Sequence, residues 1–332
     1  MPAGGPVRWG FLGAGGIARR RMLPAIVGQP EVKIQAVMVR DQARAEALAA
    51  EFHAAQAYDS VAALLADSRI EAVYIATPLD RHLEHVLAAA EAGKAILLEK
   101  PMALTVDQAE AMMEAVRRAG VLFAVCLPMR LSGTVAAIAE LLRAGRLGEL
   151  TYLRAQMAKW YPLDSSAWRA DPAQSGGGVL MDLGSHLLDL AWYLGGPAEA
   201  LTASLAQRAF DVPVEDTALV QMRFASGALA TLEVSFAAHE GGTAIEVYGT
   251  RGQAVALGER VRCRIDGVEV ELAPAPVNVY RAELLDFSRA LREHRPALTS
   301  GTDGRRNTAW LQAAYAGARG GWWVRPAGET AR

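Results

Sequence analysis

The stretch Val7-Arg-Trp-Gly-Phe-Leu12-Gly13-Ala-Gly15-Gly16-Ile17-Ala18 decides the fold. Its first half is an apolar run that reads as a buried strand. The run enters Gly13-x-Gly15-x-x-Ala18 directly, the G-x-G-x-x-A pattern of a strand-to-helix turn. Each small residue has a physical task there. Gly13 permits the tight turn, Gly15 lets a pyrophosphate approach the backbone, and Ala18 allows close helix–strand packing. With Gly16 and Ile17 between them, the turn aims the amides of the following helix at the phosphates. Pro24 is expected to kink or interrupt that helix.

Working outward, the second strand, Val32 to Val39, ends where a dinucleotide fold usually holds a carboxylate for the adenosine ribose. This chain has Val39 there, then Arg40, with Asp41 one place late. A guanidinium without a competing acid suits a 2′-phosphate, so NADP(H) is favoured and NAD(H) is possible. The plainer alternative makes Arg40 a solvated loop residue. Helices over Ala43 to Phe52, Val61 to Ala66, Arg81 to Ala92 and Thr105 to Ala119 then alternate with further strands. Those strands begin at Glu71, Ala95 and Val121. The alternation implies a parallel, doubly wound sheet over residues 1–126.

Gly13, Thr77, Pro78, Glu99 and Lys100 fall at strand carboxyl ends, where such sheets bind ligands. Lys100, held by Pro101, can hydrogen-bond a substrate oxygen or exchange a proton with it. His82 and His85 lack the spacing of a helical metal pair and read as helix-surface or supporting residues. No metal is expected.

Residues 127–332 have a different texture. Alternating strands separated by Ala225-Ser226-Gly227 and Asp266-Gly267 imply an α+β domain with a large, open, mostly antiparallel sheet. An exposed face of that size is expected to be covered by another subunit, giving an oligomer. Two helices, Tyr280 to His294 and Arg305 to Ala318, close the chain. Within this half lies Gly176-Gly177-Gly178-(x)3-Asp182-x-Gly184-x-His186-x-x-Asp189. The glycines are expected to let backbone pass close to a ligand. A helix from Asp182 to Leu194 would put Asp182 and His186 on one face, a pairing suited to acid–base work near neutrality. The loop with Trp160, Tyr161, Trp168 and Arg169 is expected to cover the substrate or to pack the domain interface. Arg130 and Tyr280 are further pocket candidates.

Composition narrows the field. The 332 residues carry a net charge of −2 with both signs scattered. Nucleic acid and anionic membrane are therefore poor partners. No apolar run reaches spanning length. Two distant cysteines, Cys126 and Cys263, argue against a disulfide framework. A soluble cytoplasmic protein is expected.

Together, Gly13-x-Gly15-x-x-Ala18, Thr77-Pro78, Glu99-Lys100-Pro101 and the Gly176-to-Asp189 motif resemble the Gfo/Idh/MocA oxidoreductases, the glucose–fructose oxidoreductase and inositol dehydrogenase-like family. The resemblance implies a Rossmann domain followed by a domain whose large open sheet is used in homodimers or homotetramers, with catalysis by Lys100, Asp182 and His186. It implies hydride transfer between a nicotinamide and a carbinol or carbonyl carbon of a sugar, cyclitol or related polyol. Either His186 or Lys100 would handle the proton. Val39, where an aspartate is common, resembles the NADP-preferring members. Leu79 replaces an asparagine that often follows Thr-Pro. Two rivals share the fold: a glycoside hydrolase using nicotinamide transiently, and a non-catalytic nucleotide-binding regulator.

Overall fold

Six strands form the first sheet of the computed structural model, which describes residues 5–165 and 167–329. They are β1 (Val7–Leu12), β2 (Val32–Met38), β3 (Gln56–Tyr58), β4 (Ala72–Ile75), β5 (Ala95–Leu98) and β6 (Phe123–Val125), in the order β3-β2-β1-β4-β5-β6. Every neighbouring pair is parallel. Alternate residues feed two separate cores. Leu12, Val73, Ile75, Ile96 and Leu98 line one face; Phe11, Ala72, Tyr74, Ala95 and Leu97 line the other. Burial on both faces explains why these strands read as unbroken apolar runs rather than alternating ones.

The chain divides into two compact units, and the division is not a single cut. Residues up to Pro128 join Asn278–Arg305 in one unit, and Met129–Val277 joins the chain from Arg306 onward in the other. A single boundary at 126/127 therefore misassigns the helix Val279–Glu293. That helix belongs to the first unit because its apolar side completes the second core. Phe287 lies 5.3 Å from Trp9, centroid to centroid, and Ser288 Oγ accepts the Trp9 indole N–H at 3.1 Å. The ion pairs Arg289–Glu31 and Arg292–Glu71 flank this contact. The first, with its arginine about half-exposed, contributes at most about 1 kcal/mol. Burying the Phe287 ring contributes several times that.

The second unit holds an eight-stranded sheet: β7 (Leu150–Ala158), β8 (Ala198–Ala206), β9 (Thr217–Phe224), β10 (Leu229–Ser235), β11 (Thr243–Gly249), β12 (Gly252–Leu257), β13 (Arg260–Ile265) and β14 (Val268–Leu272). Its order is β14-β13-β12-β11-β7-β10-β9-β8. The hairpins at Ala225-Ser226-Gly227 and Asp266-Gly267 join β9 to β10 and β13 to β14 as expected. All pairs are antiparallel except β7 with β10. One face is buried through Leu153, Val220, Met222, Leu232, Val234, Ile245 and Val247. The other carries Tyr152, Arg154, Leu219, Glu233 and Glu246, none of them buried.

Several local expectations change. β3 and β12 are strands that the sequence reading does not mark. The glycine turn leads into a π-turn, Ala18–Met22, and then a short helix, Leu23–Ile26, with Pro24 in its first turn. The helix thus changes spacing before the proline, which lacks the N–H that an ordinary turn would use. The last helix runs Gly301–Gly320, longer than Arg305 to Ala318. Among the described residues, no helix is long and apolar enough to cross a membrane.

Replacing Phe287 with Ala should destabilise the first unit by about 3–5 kcal/mol, the usual loss for a buried ring. A urea unfolding curve reads this as a lowered midpoint. An unchanged midpoint would mean that the helix does not belong to that core.

Candidate active site

In the first unit, the glycine turn has the form a pyrophosphate needs. Gly13 sits at φ +80°, and a Cβ there would lie 2.8 Å from the Ala76 carbonyl oxygen, so only glycine closes this turn. Nothing stands within 4 Å of the position a Cβ at Gly16 would take. Ala18 is fully buried against the sheet and Ile17 is half-buried. No side chain caps the helix start at Ile17. An uncapped helix start beside bare backbone fits a dinucleotide phosphate.

Arg40 is exposed just beyond β2. Asp41, the nearest carboxylate after β2, caps the helix Gln42–Glu51 instead, accepting the Arg44 N–H at 2.7 Å. The cap brings a second cation to the turn, which the sequence reading missed. Arg44 Nη2 lies 3.4 Å from where a Cβ on Gly15 would sit. Taking Asp41 as an N-cap would have revealed it, because Arg44 then falls in the first helical turn.

Thr77 Oγ1 is 2.9 Å from His85 Nδ1. His82 bridges the loops after β4 and β5, with its ring nitrogens 3.1 Å from the Thr77 carbonyl and 3.0 Å from that of Pro101. Both histidines are buried, so the surface reading of this pair is wrong. They turn inward under the loops. Burial pulls the His82 pKa down to about 4, leaving a neutral imidazole near neutrality. Pro78 precedes the turn Leu79–Arg81. Glu99 is buried; the Tyr74 hydroxyl donates to one of its oxygens and the Lys100 N–H to the other, at 3.2 Å. Lys100, half-exposed, is followed by a cis peptide to Pro101. Tyr280 also lies in this unit, partly buried against the core that holds Trp9. Burial, with Glu99 nearby, pushes its phenol up.

In the second unit, the helix starts earlier than Asp182. A π-turn, Leu180–Gly184, continues into the helix Ser185–Gly195. Asp182 lies inside the wider turn and His186 just beyond it. The shared-face argument assumed 3.6 residues per turn, so it does not carry across this junction. Both side chains are partly exposed. Asp182 Oδ2 stands 3.9 Å from Arg169 Nε, and the Arg169 guanidinium lies 4.4 Å from the Trp168 ring centroid. The structure thus gathers Asp182, Arg169 and Trp168. Trp160 belongs to another cluster, stacked on His239 at 3.8 Å and beside Phe210 at 5.3 Å.

The triple glycine does something other than expected. Gly176 ends a short helix, Pro172–Ser175, at φ +74°. A Cβ on Gly177 would strike the Tyr315 hydroxyl, and one on Gly178 would strike the Glu215 backbone. Gly177 and Gly178 therefore make room for the protein's own side of the motif, not for a ligand. Arg130, proposed for the pocket, is buried and bonded through both Nε and Nη2 to Asp189, one turn beyond His186. The Trp192 ring lies under Arg130 and Arg306, at 5.1 and 3.4 Å. Losing one partner of a buried ion pair costs about 3–5 kcal/mol, so this pair fixes the helix rather than binding substrate. No cluster of three or more metal-ligating side chains occurs among the described residues.

The chain matches the oxidoreductase family with an NAD-binding Rossmann fold over residues 7–127, and the GFO/IDH/MocA C-terminal domain over residues 135–255. It is 31% identical over 306 residues to 1,5-anhydro-D-fructose reductase of Ensifer adhaerens, covering 90% of this chain and 92% of that protein. It is also 31% identical to D-xylose 1-dehydrogenase (NADP(+)) 2 of Haloferax volcanii, covering 85% and 88%. The crystal structure of aldose–aldose oxidoreductase from Caulobacter crescentus, complexed with glycerol, superposes with a TM-score of 0.89 at 26% identity, covering 96% and 99%. With its parallel dinucleotide sheet, its open antiparallel sheet and these relatives, the chain belongs to the Gfo/Idh/MocA family of oxidoreductases.

Proposed function

We propose that this oxidoreductase prefers NADP(H) and acts on a CH–OH or carbonyl carbon of a sugar, cyclitol or related polyol. The observation that carries the reading is the gathering of Asp182, Arg169 and Trp168 at a helix start that also carries His186, in a chain whose other unit has a bare glycine turn. A nucleotide sensor would need no such acid–base pair. The substrate class follows the named activities of the relatives, which are sugar reductions and oxidations. Trp168 and Arg169 beside Asp182 suit it: an indole face takes sugar C–H groups and a guanidinium takes hydroxyls.

The nicotinamide, when bound, supplies or accepts the hydride. His186 takes the hydroxyl proton during oxidation and returns it during reduction, a contribution of about 10²–10⁴-fold. Asp182 orients the substrate hydroxyls. Lys100 hydrogen-bonds the reacting oxygen. Arg40 and Arg44 hold the 2′-phosphate of the cofactor, in the absence of a ribose carboxylate at Val39. The enzyme works in the cytoplasm, where its buried thiols Cys126 and Cys263 stay reduced. It self-associates through the open sheet face, where Leu219 and Leu229 are 50% and 49% exposed.

A screen of sugars, inositols and their keto forms against NADPH and NADP⁺ tests the reaction. Lys100→Met and His186→Ala should each lower turnover about a hundredfold while cofactor still binds. Wild-type rates in both would reject these roles, and turnover without net cofactor change would favour the glycoside hydrolase. Arg40→Ala should raise the NADP(H) dissociation constant about tenfold, the loss of one charge-assisted contact, and spare NAD(H). Equal losses for both cofactors would sink the preference. Light scattering should give a multiple of the 35.4 kDa chain mass, reduced to a single chain by Leu219→Asp; a monomeric wild type would dismiss the interface.

A further inference from the structure

Glu215 is separated in sequence from the acid–base pair, yet it meets three consecutive amides at the start of the helix that carries it. Glu215 Oε1 accepts the N–H groups of Gly178 and Leu180, each at 3.0 Å, and its backbone carbonyl accepts that of Val179 at 3.0 Å. The Tyr315 hydroxyl donates to the same carboxylate oxygen at 2.7 Å. The first amides of a helix have no partner within it, and a negative group there also complements the helix dipole. Here that partner arrives from the segment before β9, through a gap that exists because Gly177 and Gly178 lack side chains.

The turn is held from its other end as well. Ser185 Oγ donates to the Asp182 carbonyl at 2.7 Å, and Asn307 Nδ2 donates to the Ser185 carbonyl at 2.8 Å. Between these two fastenings lies the π-turn containing Asp182, with His186 one residue past the second. A wide turn of this kind is rare and persists where its surroundings over-determine it. An ordinary cap needs only a local serine or aspartate. A remote carboxylate, a buried tyrosine and two glycines are more than helix formation demands. They fit a device that fixes where two side chains point.

We infer that Glu215, backed by Tyr315, is the positioning residue that sets Asp182 and His186 for proton transfer. This rests on the reading of those two residues as the acid–base pair. Burial and the neighbouring Glu215 carboxylate push the Tyr315 phenol well above the usual tyrosine range, so it stays a donor at working pH.

The test uses the full-length chain with NADP⁺ bound, in the variants Glu215→Ala, Glu215→Gln and Tyr315→Phe. For the sugar turned over fastest by wild type, Glu215→Ala should lower kcat about tenfold or more, since small misplacements of reacting groups are expensive. KM and the cofactor dissociation constant should stay within about twofold, because ground-state binding is untouched. Glu215→Gln keeps an acceptor oxygen in place and should recover most of kcat; Tyr315→Phe should fall between. NMR titration of the imidazoles supplies a reading that needs no substrate. The His186 midpoint should move in Glu215→Ala while the other five histidines keep theirs. A fallen kcat with an unmoved His186 titration overturns the inference in favour of simple fold support, and an unmoved kcat overturns it outright. Should Glu215→Ala fail to fold, Tyr315→Phe decides by the same two readings. His186→Ala tests the acid–base reading separately, so the two failures are distinguishable.

Discussion

Helix starts expose amides that the helix itself cannot satisfy, and this constraint shapes both units of the protein. The two answers are opposite. After Gly15 and Gly16 no side chain caps the helix, and the backbone is left bare for an anionic ligand. After Gly177 and Gly178 the amides are claimed by Glu215, so the backbone of that start is closed to ligands. Glycine appears in both sequences for different reasons. One set leaves the backbone uncovered, the other gives access to the protein's own carboxylate.

This difference also explains what the sequence could and could not tell. The strand, turn and helix at Val7 to Ala18 are local, and every link in the inference lies within a dozen residues, so the fold of the first unit was readable. The hairpins at Ser226-Gly227 and Asp266-Gly267 were readable for the same reason. Glu215 and Tyr315 were not, because they meet the glycine motif only through the fold. The π-turn escaped because periodicity arguments assume one spacing throughout. β12 escaped because Gly252-Gln-Ala-Val-Ala-Leu257 has little β-branched or aromatic content. Arg44 was within reach and was missed through not treating Asp41 as a cap.

Rigidity is concentrated behind the helix that carries His186. The buried Arg130–Asp189 pair and the Trp192 ring beneath Arg130 and Arg306 fix its body, while Glu215 and Asn307 fix its first turn. The Asp182–Arg169 contact, at 3.9 Å and partly exposed, is weak by comparison. The helix is therefore held more firmly on its buried side than at Asp182.

The return of Val279–Glu293 to the first sheet has a bearing on how the protein is made. Trp9, Phe11 and Tyr74 emerge early from the ribosome, but Leu284 and Phe287, which share their core, belong to the last sixth or so of the chain. The nascent nucleotide unit must wait, its aromatic side uncovered, while the whole open sheet is translated. Proteins usually complete their domains in N-to-C order as synthesis proceeds. Here the two units are interleaved along the chain, so the first core closes only after the open sheet has been made, and the second unit closes after it, with the chain from Arg306 onward.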